Sequence, residues 1–413
     1  MVRPAPLVLC LSLGVAAVAR AAPDPARDLP AAIPEDEGFD SQKLLELARW
    51  LRDSQVPIYS VLVSHGGKLV LELYTGQVQR DDAHYVMSVS KSVLSAGIGA
   101  AVDRGLVGNP DTLSVADLPA RLFKDQATRE RFRPITLKHV MGMSVLDART
   151  GPHDPSPAGQ ARLHAFWTAR NRVVFALAQP FIDQPGTRFQ YNDVNPLIAT
   201  GILVEATRMA AFDFLDQALF QPMGFRNAEW MHVDASGVDN GGYGLRLRPL
   251  DMQKLGILYL RGGRWGSRQL LSKSWVERSF TPWIKTYEGP GEPNYGWYWW
   301  TRWFPSGWKA LAAEGWKGQV IWIFPAQDVV VTITSYLEKE EAATLRRVLT
   351  DFLIPAVERG RGRKASQDAE TRQELAATLA ALQREPLRHP PHPEPRMLPS
   401  PKAREKRTRF RPR

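Results

Sequence analysis

The stretch from Ser88 to Gly105 is the feature that most constrains the fold of this chain. After Ser88 it reads Val89-Ser90-Lys91 and continues in small and apolar residues, without proline, as far as Gly105. Small side chains over this length predict a helix that packs closely on all sides, with the glycine as its C-cap. The rest of the chain must then be organised around this helix.

Ser88 and Lys91 form a Ser-x-x-Lys motif at the start of the predicted helix. Ser88 lies in the first turn, where unpaired backbone N–H groups point outward, and Lys91 emerges on the same face one turn later. Burying a lysine is costly unless its pKa falls, and a lowered pKa lets it accept the proton of a serine. The alternative interpretation is an N-cap serine followed by a solvated lysine. Ser90 and Ser92 point elsewhere and Ser95 lies too deep, so Ser88 is the candidate nucleophile.

The first 21 residues have the features of an export signal. Arg3 precedes an apolar run that is too short to span a bilayer, and Ala19-Arg20-Ala21 resembles a cleavage site. We therefore expect a periplasmic or secreted protein, with an uncleaved membrane anchor as the alternative. The single cysteine, Cys10, lies in this segment, so the mature chain would have no disulfide and no cysteine metal site. No pair of histidines suggests zinc, and no metal or other cofactor is expected.

The net charge of +10 is concentrated at the C-terminal end. Residues 385–413 contain nine Lys or Arg, three Asp or Glu and eight Pro, which predicts a disordered basic tail. Such a tail could bind an anionic surface. The remaining charge of about +4 does not indicate nucleic-acid binding.

Strand patterns occur at both ends of the chain and helical patterns between them. Residues 41–52 have helical periodicity, and residues 58–64 and 68–74 alternate as a hairpin. Further strands are predicted at residues 295–300, 309–313, 319–324 and 329–335. A closing amphipathic helix is predicted at residues 339–358. Early and late strands must share a sheet, because neither set alone would bury its apolar face.

The predicted fold class is therefore α+β: an antiparallel sheet flanked by N- and C-terminal helices, with a large, mostly helical insertion. The predicted boundaries are a signal peptide at 1–21, a linker at 22–34, a sheet domain at 35–83 and 282–358, a helical domain at 84–281, a peripheral helix outside the core at 359–384, and the tail at 385–413. The boundary between sheet and helices predicts a cleft, and residues 147–159 predict an irregular loop over it.

Two further stretches would complete a serine–lysine site. Tyr191 precedes a polar turn and a new helix; beside a charged lysine it could act as base and then acid, although such a tyrosine is more often a core residue. Residues 315–319 read Gly-Trp-Lys-Gly-Gln, with two glycines entering a predicted edge strand where a substrate could approach. Backbone N–H groups of Ser88 and Gln319 are the candidate oxyanion donors. The alternative for this stretch is an ordinary glycine-rich hairpin turn.

Together, in this order, the three stretches resemble the serine β-lactamase and penicillin-binding-protein superfamily. The resemblance is closest to the class C-like branch, which includes esterases, D-amino-acid peptidases and hydrolases of nylon oligomers (6-aminohexanoate dimers), and it covers roughly residues 33–355. Additional similarity lies at residues 135–141, 185–189, 250–256 and 262–266.

The resemblance implies that Ser88 is acylated, that Lys91 and Tyr191 transfer protons, and that Gln319 supplies an oxyanion N–H. It implies substrate contacts by Asp193, Gly315, Trp316, Lys317 and Gly318. Two departures matter. The family's Tyr-x-Asn is here Tyr191-Asn192-Asp193, and its Lys-Thr-Gly is here Trp316-Lys317-Gly318. Both departures point away from β-lactamase activity and leave the acyl-enzyme machinery intact.

The leading functional hypothesis is an exported serine hydrolase that cleaves an ester or amide bond in a small-molecule or peptide-like substrate. A β-lactamase or a peptidoglycan DD-peptidase is the alternative among enzymes. The alternative from another class is a non-catalytic relative that binds a cell-wall or peptide ligand in the same cleft.

Overall fold

The computed structural model describes residues 29–76, 78–147, 154, 156–182, 184–230, 234, 236–287, 291–338, 343–360, 362 and 368–385. The predicted signal peptide, the tail from residue 386 and most of the predicted loop at 147–159 lie outside the described residues.

A seven-stranded antiparallel sheet joins the two ends of the chain, as the sequence predicted. Its order is β2-β1-β12-β11-β10-β9-β8, and the early strand β1 pairs directly with the late strand β12. The strands are β1 Ile58–His65, β2 Lys68–Tyr74, β8 Tyr295–Gly296, β9 Trp299–Trp303, β10 Lys309–Gly315, β11 Gln319–Phe324 and β12 Val329–Ser335. A small sheet is formed by β3 His84–Tyr85, β4 Glu229–Trp230 and β5 Leu245–Leu247, and a hairpin by β6 Arg264–Trp265 and β7 Arg268–Gln269.

The helices cover most of the middle of the chain and both ends of the fold. They are α1 Ser41–Ser54, α2 Val89–Asp103, α3 Gln126–Arg131, α4 Leu137–Met141, α5 Pro157–Thr168, α6 Arg172–Leu177, α7 Asn195–Thr207, α8 Ala211–Leu215, α9 Pro249–Leu260, α10 Lys273–Ser279, α11 Ala343–Arg347, α12 Ile354–Gly360 and α13 Ala369–Arg384. A π-helical segment, Val348–Leu353, connects α11 with α12 and makes one continuous helical stretch where a single helix was predicted.

Helix α2 is the centre of the fold, as its sequence predicted. Every residue from 89 to 101 is buried, and α2 packs against α7, α8 and strands β10 and β11. Gly99 allows a further close contact, with α10, because a Cβ there would lie 2.4 Å from the indole nitrogen of Trp275. Gly105 follows the helix end with a φ of +68°, the left-handed conformation that glycine adopts without strain.

Three sets of contacts cross the predicted domain boundaries. Helix α9, within the predicted helical domain, packs on β1, β11 and β12 of the main sheet; Gly256 allows this, since a Cβ there would lie 2.5 Å from Val330. Helix α13, predicted to lie outside the core, packs against α1 and β2 and buries Leu375 and Leu382. The end of the predicted linker also joins the sheet, where Ala32 N–H donates to the Leu69 carbonyl.

The aromatic stretch at residues 295–300 forms a tight hairpin rather than one strand. Strands β8 and β9 flank Trp297 and Tyr298, whose φ angles are +57° and +63°. Two positive φ angles are typical of hairpin turns rich in glycine and asparagine. Here both aromatic side chains are buried, so tertiary packing stabilises a backbone conformation that their intrinsic preference opposes.

In the part of the chain that the structure describes, no helix combines the length and the apolar character needed to cross a membrane.

Candidate active site

Ser88 lies immediately before helix α2 and follows Met87, a residue with a strained backbone conformation. It occupies the N-cap position, but its side chain makes no capping hydrogen bond. Met87 before it has a φ of +49°, and a non-glycine residue in this region stores strain that the surrounding structure must support. Ser90 and Ser92 donate their hydroxyl protons to the backbone carbonyls of Met87 and Tyr298. Ser88 is therefore the serine of this motif whose hydroxyl faces Lys91.

The Lys91 ammonium is buried and donates three hydrogen bonds. Its acceptors are the hydroxyl of Ser88 at 2.9 Å, Oδ1 of Asp193 at 2.7 Å and the carbonyl of Gly242 at 2.8 Å. An ammonium group has three protons, so each one has an acceptor. Lys91 is 1% exposed, and the interpretation of a capping serine followed by a solvated lysine is wrong on both counts.

The charge of Lys91 is stabilised rather than suppressed. Burial lowers the pKa of the ammonium, but the Asp193 carboxylate and the Tyr191 hydroxyl raise it by more, and the net pKa lies above its ordinary value. Of the two states that the sequence left open, a lysine with a lowered pKa and a lysine that stays charged beside Tyr191, the raised pKa agrees with the charged one. As the structure stands, Lys91 is a donor to Ser88 and not an acceptor of its proton.

Tyr191 lies beside this ammonium in an aromatic cluster. The Lys91 nitrogen is 4.8 Å from the centre of the Tyr191 ring, and the Trp300 ring stacks on Tyr191 with centroids 5.7 Å apart. The Arg302 guanidinium lies over Trp300 at 4.4 Å. Strand β9 of the sheet thus fixes the tyrosine against the start of α2.

Asn192 positions Tyr191 and Asp193 on either side of it. Its Oδ1 accepts from the backbone N–H groups of Val194 and Asn195, while its Nδ2 donates to the carbonyls of Leu146 and Gln190. Asparagine before a helix closes such a turn readily because its side chain mimics backbone groups. The fully buried Asn192 therefore fixes the start of α7 and the direction of both neighbours.

The glycine-rich stretch is a hairpin turn that also contacts Ser88. Gly315 pairs with Gln319 across the β10–β11 turn. A Cβ on Gly315 would lie 2.5 Å from the Val86 carbonyl oxygen and 3.1 Å from the Ser88 nitrogen. Strand β10 is not an edge strand, since it lies between β11 and β9. Its pairing with β9 ends at Ala312, however, so the Gly315 end extends past its neighbour.

Gln319, the predicted oxyanion donor, lies across the β10–β11 turn from Gly315, the residue that contacts the backbone at Ser88. Its side-chain amide donates to the Ser335 carbonyl. Trp316 is next to Gly315 and is 58% exposed. Neither Ser88 nor Trp316 donates a backbone hydrogen bond to any residue that the structure describes. The backbone N–H groups of Ser88 and Trp316 are therefore available to a substrate oxygen.

Lys317 and Gly318 contact residues 335–338. The Lys317 ammonium pairs with Glu338 and lies 4.5 Å from the Tyr336 ring centre. A Cβ on Gly318 would lie 2.2 Å from the Ser335 hydroxyl. Three of the five residues with implied substrate contacts lie at the site. Asp193 contacts Lys91, Gly315 contacts the backbone at Ser88, and Trp316 is exposed next to Gly315.

A cavity of about 490 Å³ adjoins Tyr191. Its lining consists of two short segments, residues 187–191 and 285–287. Its size suits a small organic substrate. Among the described residues, no three His, Cys, Asp or Glu side chains are grouped to hold a metal ion.

Sequence reasoning missed several residues that the structure places at the site. Gly242 provides the third acceptor of Lys91. The adjacent Tyr243 is half-buried, and desolvation together with the charge of Asp193 raises the pKa of its hydroxyl. The run Asn240-Gly241-Gly242-Tyr243 was the available signal, since two glycines next to each other indicate a close backbone approach. A Cβ on Gly242 would lie 3.4 Å from Oδ1 of Asp193.

Comparison with known proteins agrees with this geometry. The family model described as Beta-lactamase matches residues 42–353. The 6-aminohexanoate-dimer hydrolase of Paenarthrobacter ureafaciens is 25% identical over 67% of this chain and 72% of its own length. A Salmonella paratyphi A protein named "Putative D-alanyl-D-alanine carboxypeptidase" is 24% identical, and the match covers 48% of this chain and half of that protein.

Solved structures share the fold. A Bacillus anthracis protein named "Putative 6-aminohexanoate-dimer hydrolase" aligns with a TM-score of 0.64 at 20% identity, over 82% of this chain and 89% of that one. The octameric penicillin-binding protein homologue of Pyrococcus abyssi aligns with a TM-score of 0.57 at 16% identity, over 77% and 80%. With a matching family model across most of the folded chain and hydrolases among its relatives, this protein belongs to the beta-lactamase family and is a serine hydrolase.

Proposed function

We propose that this protein is an exported hydrolase that cleaves an ester or amide bond through an acyl-enzyme on Ser88. The observation that carries the proposal is the buried Lys91 ammonium, which bonds Ser88 and Asp193 at the start of α2. A site that only binds a ligand has no need of a nucleophile, a buried cation and an adjacent tyrosine. The sequence of residues 1–21 supports export.

In the proposed first step, the Ser88 oxygen attacks the substrate carbonyl carbon while Tyr191, as general base, takes the serine proton. Lys91 is fully engaged as a donor, so it orients Ser88 and stabilises the negative charge on the tyrosine oxygen. The N–H groups of Ser88 and Trp316 would bind the oxyanion. Tyr191 then gives the proton to the leaving oxygen or nitrogen, and the carbon–leaving group bond breaks.

In the second step, water attacks the acyl carbonyl with Tyr191 again as base. The proton taken from water passes to the Ser88 oxygen as the acyl–serine bond breaks, which restores the free enzyme and releases a carboxylic acid. In this scheme Trp316 takes the place of the predicted Gln319 as the second oxyanion donor, because Gly315, the neighbour of Trp316, closely approaches the Ser88 nitrogen.

Asp193 supports esters and simple amides as the substrate class. Its carboxylate accepts hydrogen bonds but donates none unless protonated, so it is a poor partner for the side-chain amide of a β-lactam. A DD-peptidase remains the second candidate, favoured by the similarity to the protein named as a D-alanyl-D-alanine carboxypeptidase.

The proposal is tested by covalent labelling. A fluorescent fluorophosphonate should modify the wild-type protein, and mass mapping should place the label on Ser88. Ser88→Ala should lose the label and ester turnover while keeping the wild-type melting temperature. Label that persists in Ser88→Ala, or that maps to Ser90, would contradict the assignment.

A further inference from the structure

A second buried cation, Arg172 at the start of α6, lacks the partners that such a group normally has. Arg172 is 6% exposed, and its Nε and Nη1 are both buried without a hydrogen-bond acceptor. Buried charges in proteins are normally paired, so an unpaired buried guanidinium calls for an explanation.

The carboxylate of Asp234, whose charge acts on Arg172, is already engaged by other donors. Oδ2 of Asp234 accepts from the backbone N–H of Arg172, and Oδ1 accepts from Ser236 and from the N–H of Val238. Asp193, the carboxylate of the candidate active site, bonds to Lys91. The guanidinium of Arg172 thus keeps donor capacity that no carboxylate in the described residues takes up.

Aromatic rings connect Arg172 to the candidate active site. Its guanidinium carbon lies 5.1 Å from the Phe166 ring centre and 5.2 Å from that of Trp167. Both rings also contact Tyr243, at 6.4 and 6.1 Å between centroids. Tyr243 directly follows Gly242, whose carbonyl accepts from Lys91. Arg172 is therefore linked to the candidate active site through a cluster of three aromatic residues.

We propose that Arg172 is the receptor for a carboxylate on the acyl part of the substrate, so that the enzyme selects esters or amides whose acyl chain ends in an anion. The planar guanidinium matches a carboxylate in shape and charge. Phe166, Trp167 and Tyr243 enclose an apolar spacer between that carboxylate and the scissile carbonyl. Trp167 and Tyr243 are only half-buried, so the cluster borders on solvent. This inference rests on the proposed function and names its substrate class.

The test compares three 4-nitrophenyl esters with the same six-carbon acyl chain: the hexanoate, the adipate monoester, and the adipate whose far carboxylate is a methyl ester. In the wild-type protein, kcat/KM for the free carboxylate should exceed that for the methyl ester by about tenfold or more, as a charge-assisted hydrogen bond predicts. Arg172→Met should reduce this ratio by about 10- to 100-fold, and Arg172→Lys should keep part of it.

Arg131→Met is the matched control. Arg131 also lies over an aromatic ring, that of Phe181 at 4.5 Å, but it is exposed and bonds to the Gln179 carbonyl. Its substitution should leave the ratio as in the wild type. A wild-type ratio at or below one would overturn the proposal without any variant, and so would a ratio that Arg172→Met and Arg172→Lys leave unchanged.

A binding measurement distinguishes the proposed carboxylate site at Arg172 from the proposed acyl-enzyme chemistry at Ser88. Calorimetry with monomethyl adipate on Ser88→Ala should show binding that Arg172→Met weakens about tenfold or more. The first contrary outcome is ester hydrolysis with the label on Ser88, while neither the kcat/KM ratio nor the binding of monomethyl adipate depends on Arg172. In that case the carboxylate site is wrong and the hydrolase assignment stands. If Ser88 is never labelled but the binding depends on Arg172, the hydrolase assignment is wrong and the anion site stands.

Discussion

The Lys91 ammonium lies 2.7 Å from Oδ1 of Asp193, a contact between residues 102 positions apart in the chain. This ion pair is buried on the lysine side and partly open on the aspartate side, with 1% and 19% of each side chain exposed. It decides the protonation state of the candidate site, because burial by itself would drive the lysine toward its neutral form.

Replacing Asp193 by asparagine should therefore move the pH dependence of catalysis. In the wild type the pKa of Lys91 is raised above 10.5, the ordinary value for lysine. Lys91 therefore stays charged at alkaline pH, and activity should persist there. Asp193→Asn removes the largest raising cause, burial then dominates, and the pKa of Lys91 falls. The alkaline limb of kcat/KM should shift to lower pH. An unchanged limb in the variant would mean that another group controls it.

Lys91 and Tyr191 should act as one unit in proton transfer. Lys91→Ala or Tyr191→Phe should each lower kcat by about 10²- to 10⁴-fold, as is usual for acid–base groups, and the double variant should lose little more than the worse single one. Steady-state kinetics on a short-chain ester measure this. Losses that multiply in the double variant would contradict a shared proton path.

Gly315 should tolerate no side chain. In Gly315→Ala the new methyl group would overlap the Val86 carbonyl oxygen and press on the Ser88 nitrogen, so the turn must move away from the nucleophile. We expect a fall in kcat of about 10²-fold, the size seen when an oxyanion donor is lost. Gly108→Ala is the control, because its Cβ would meet Leu113 at an ordinary 3.6 Å. Equal activity in the two variants would exclude this role for Gly315.

Short-chain 4-nitrophenyl esters should be hydrolysed much faster than nitrocefin. Esters have a good leaving group and need no amide contact, whereas the carboxylate of Asp193 cannot donate to the side-chain amide of a β-lactam. Asp193→Asn should narrow the difference, since asparagine can donate. The measurement is kcat/KM for both substrates on both proteins. Nitrocefin turnover at or above the ester rate in the wild type would favour a β-lactamase.

The basic tail and helix α13 should differ in their effect on stability. Removing residues 386–413 should leave the melting temperature and ester hydrolysis unchanged, because proline and charge in that composition do not build a core. Ending the chain at residue 367 instead removes Leu375 and Leu382, which are buried against α1 and β2. Each such leucine contributes about 1.5–3 kcal/mol, so the melting temperature should fall by many degrees. A stable shorter chain would show that α13 is dispensable.

Much of the local structure was determined by the sequence alone. Residue size, periodicity and turn chemistry predict the buried helix α2, the hairpin of β1 and β2, the late strands β11 and β12, and the pairing of early with late strands. The motif of Ser88 and Lys91 likewise predicted that the two side chains would meet, because residues three apart share a helix face.

Only the tertiary structure decided the charge of Lys91, the contact of Gly315 with Ser88 and the unpaired state of Arg172. Each depends on groups far away in the chain: Gly242 lies 151 residues from Lys91, and Gly315 meets a helix start more than 200 residues earlier. The turn at Trp297 and Tyr298 was likewise not predictable from the sequence, because packing of the two buried side chains overrides their backbone preference. Local patterns specify which elements form, whereas protonation, close approach and strain depend on which elements are brought together.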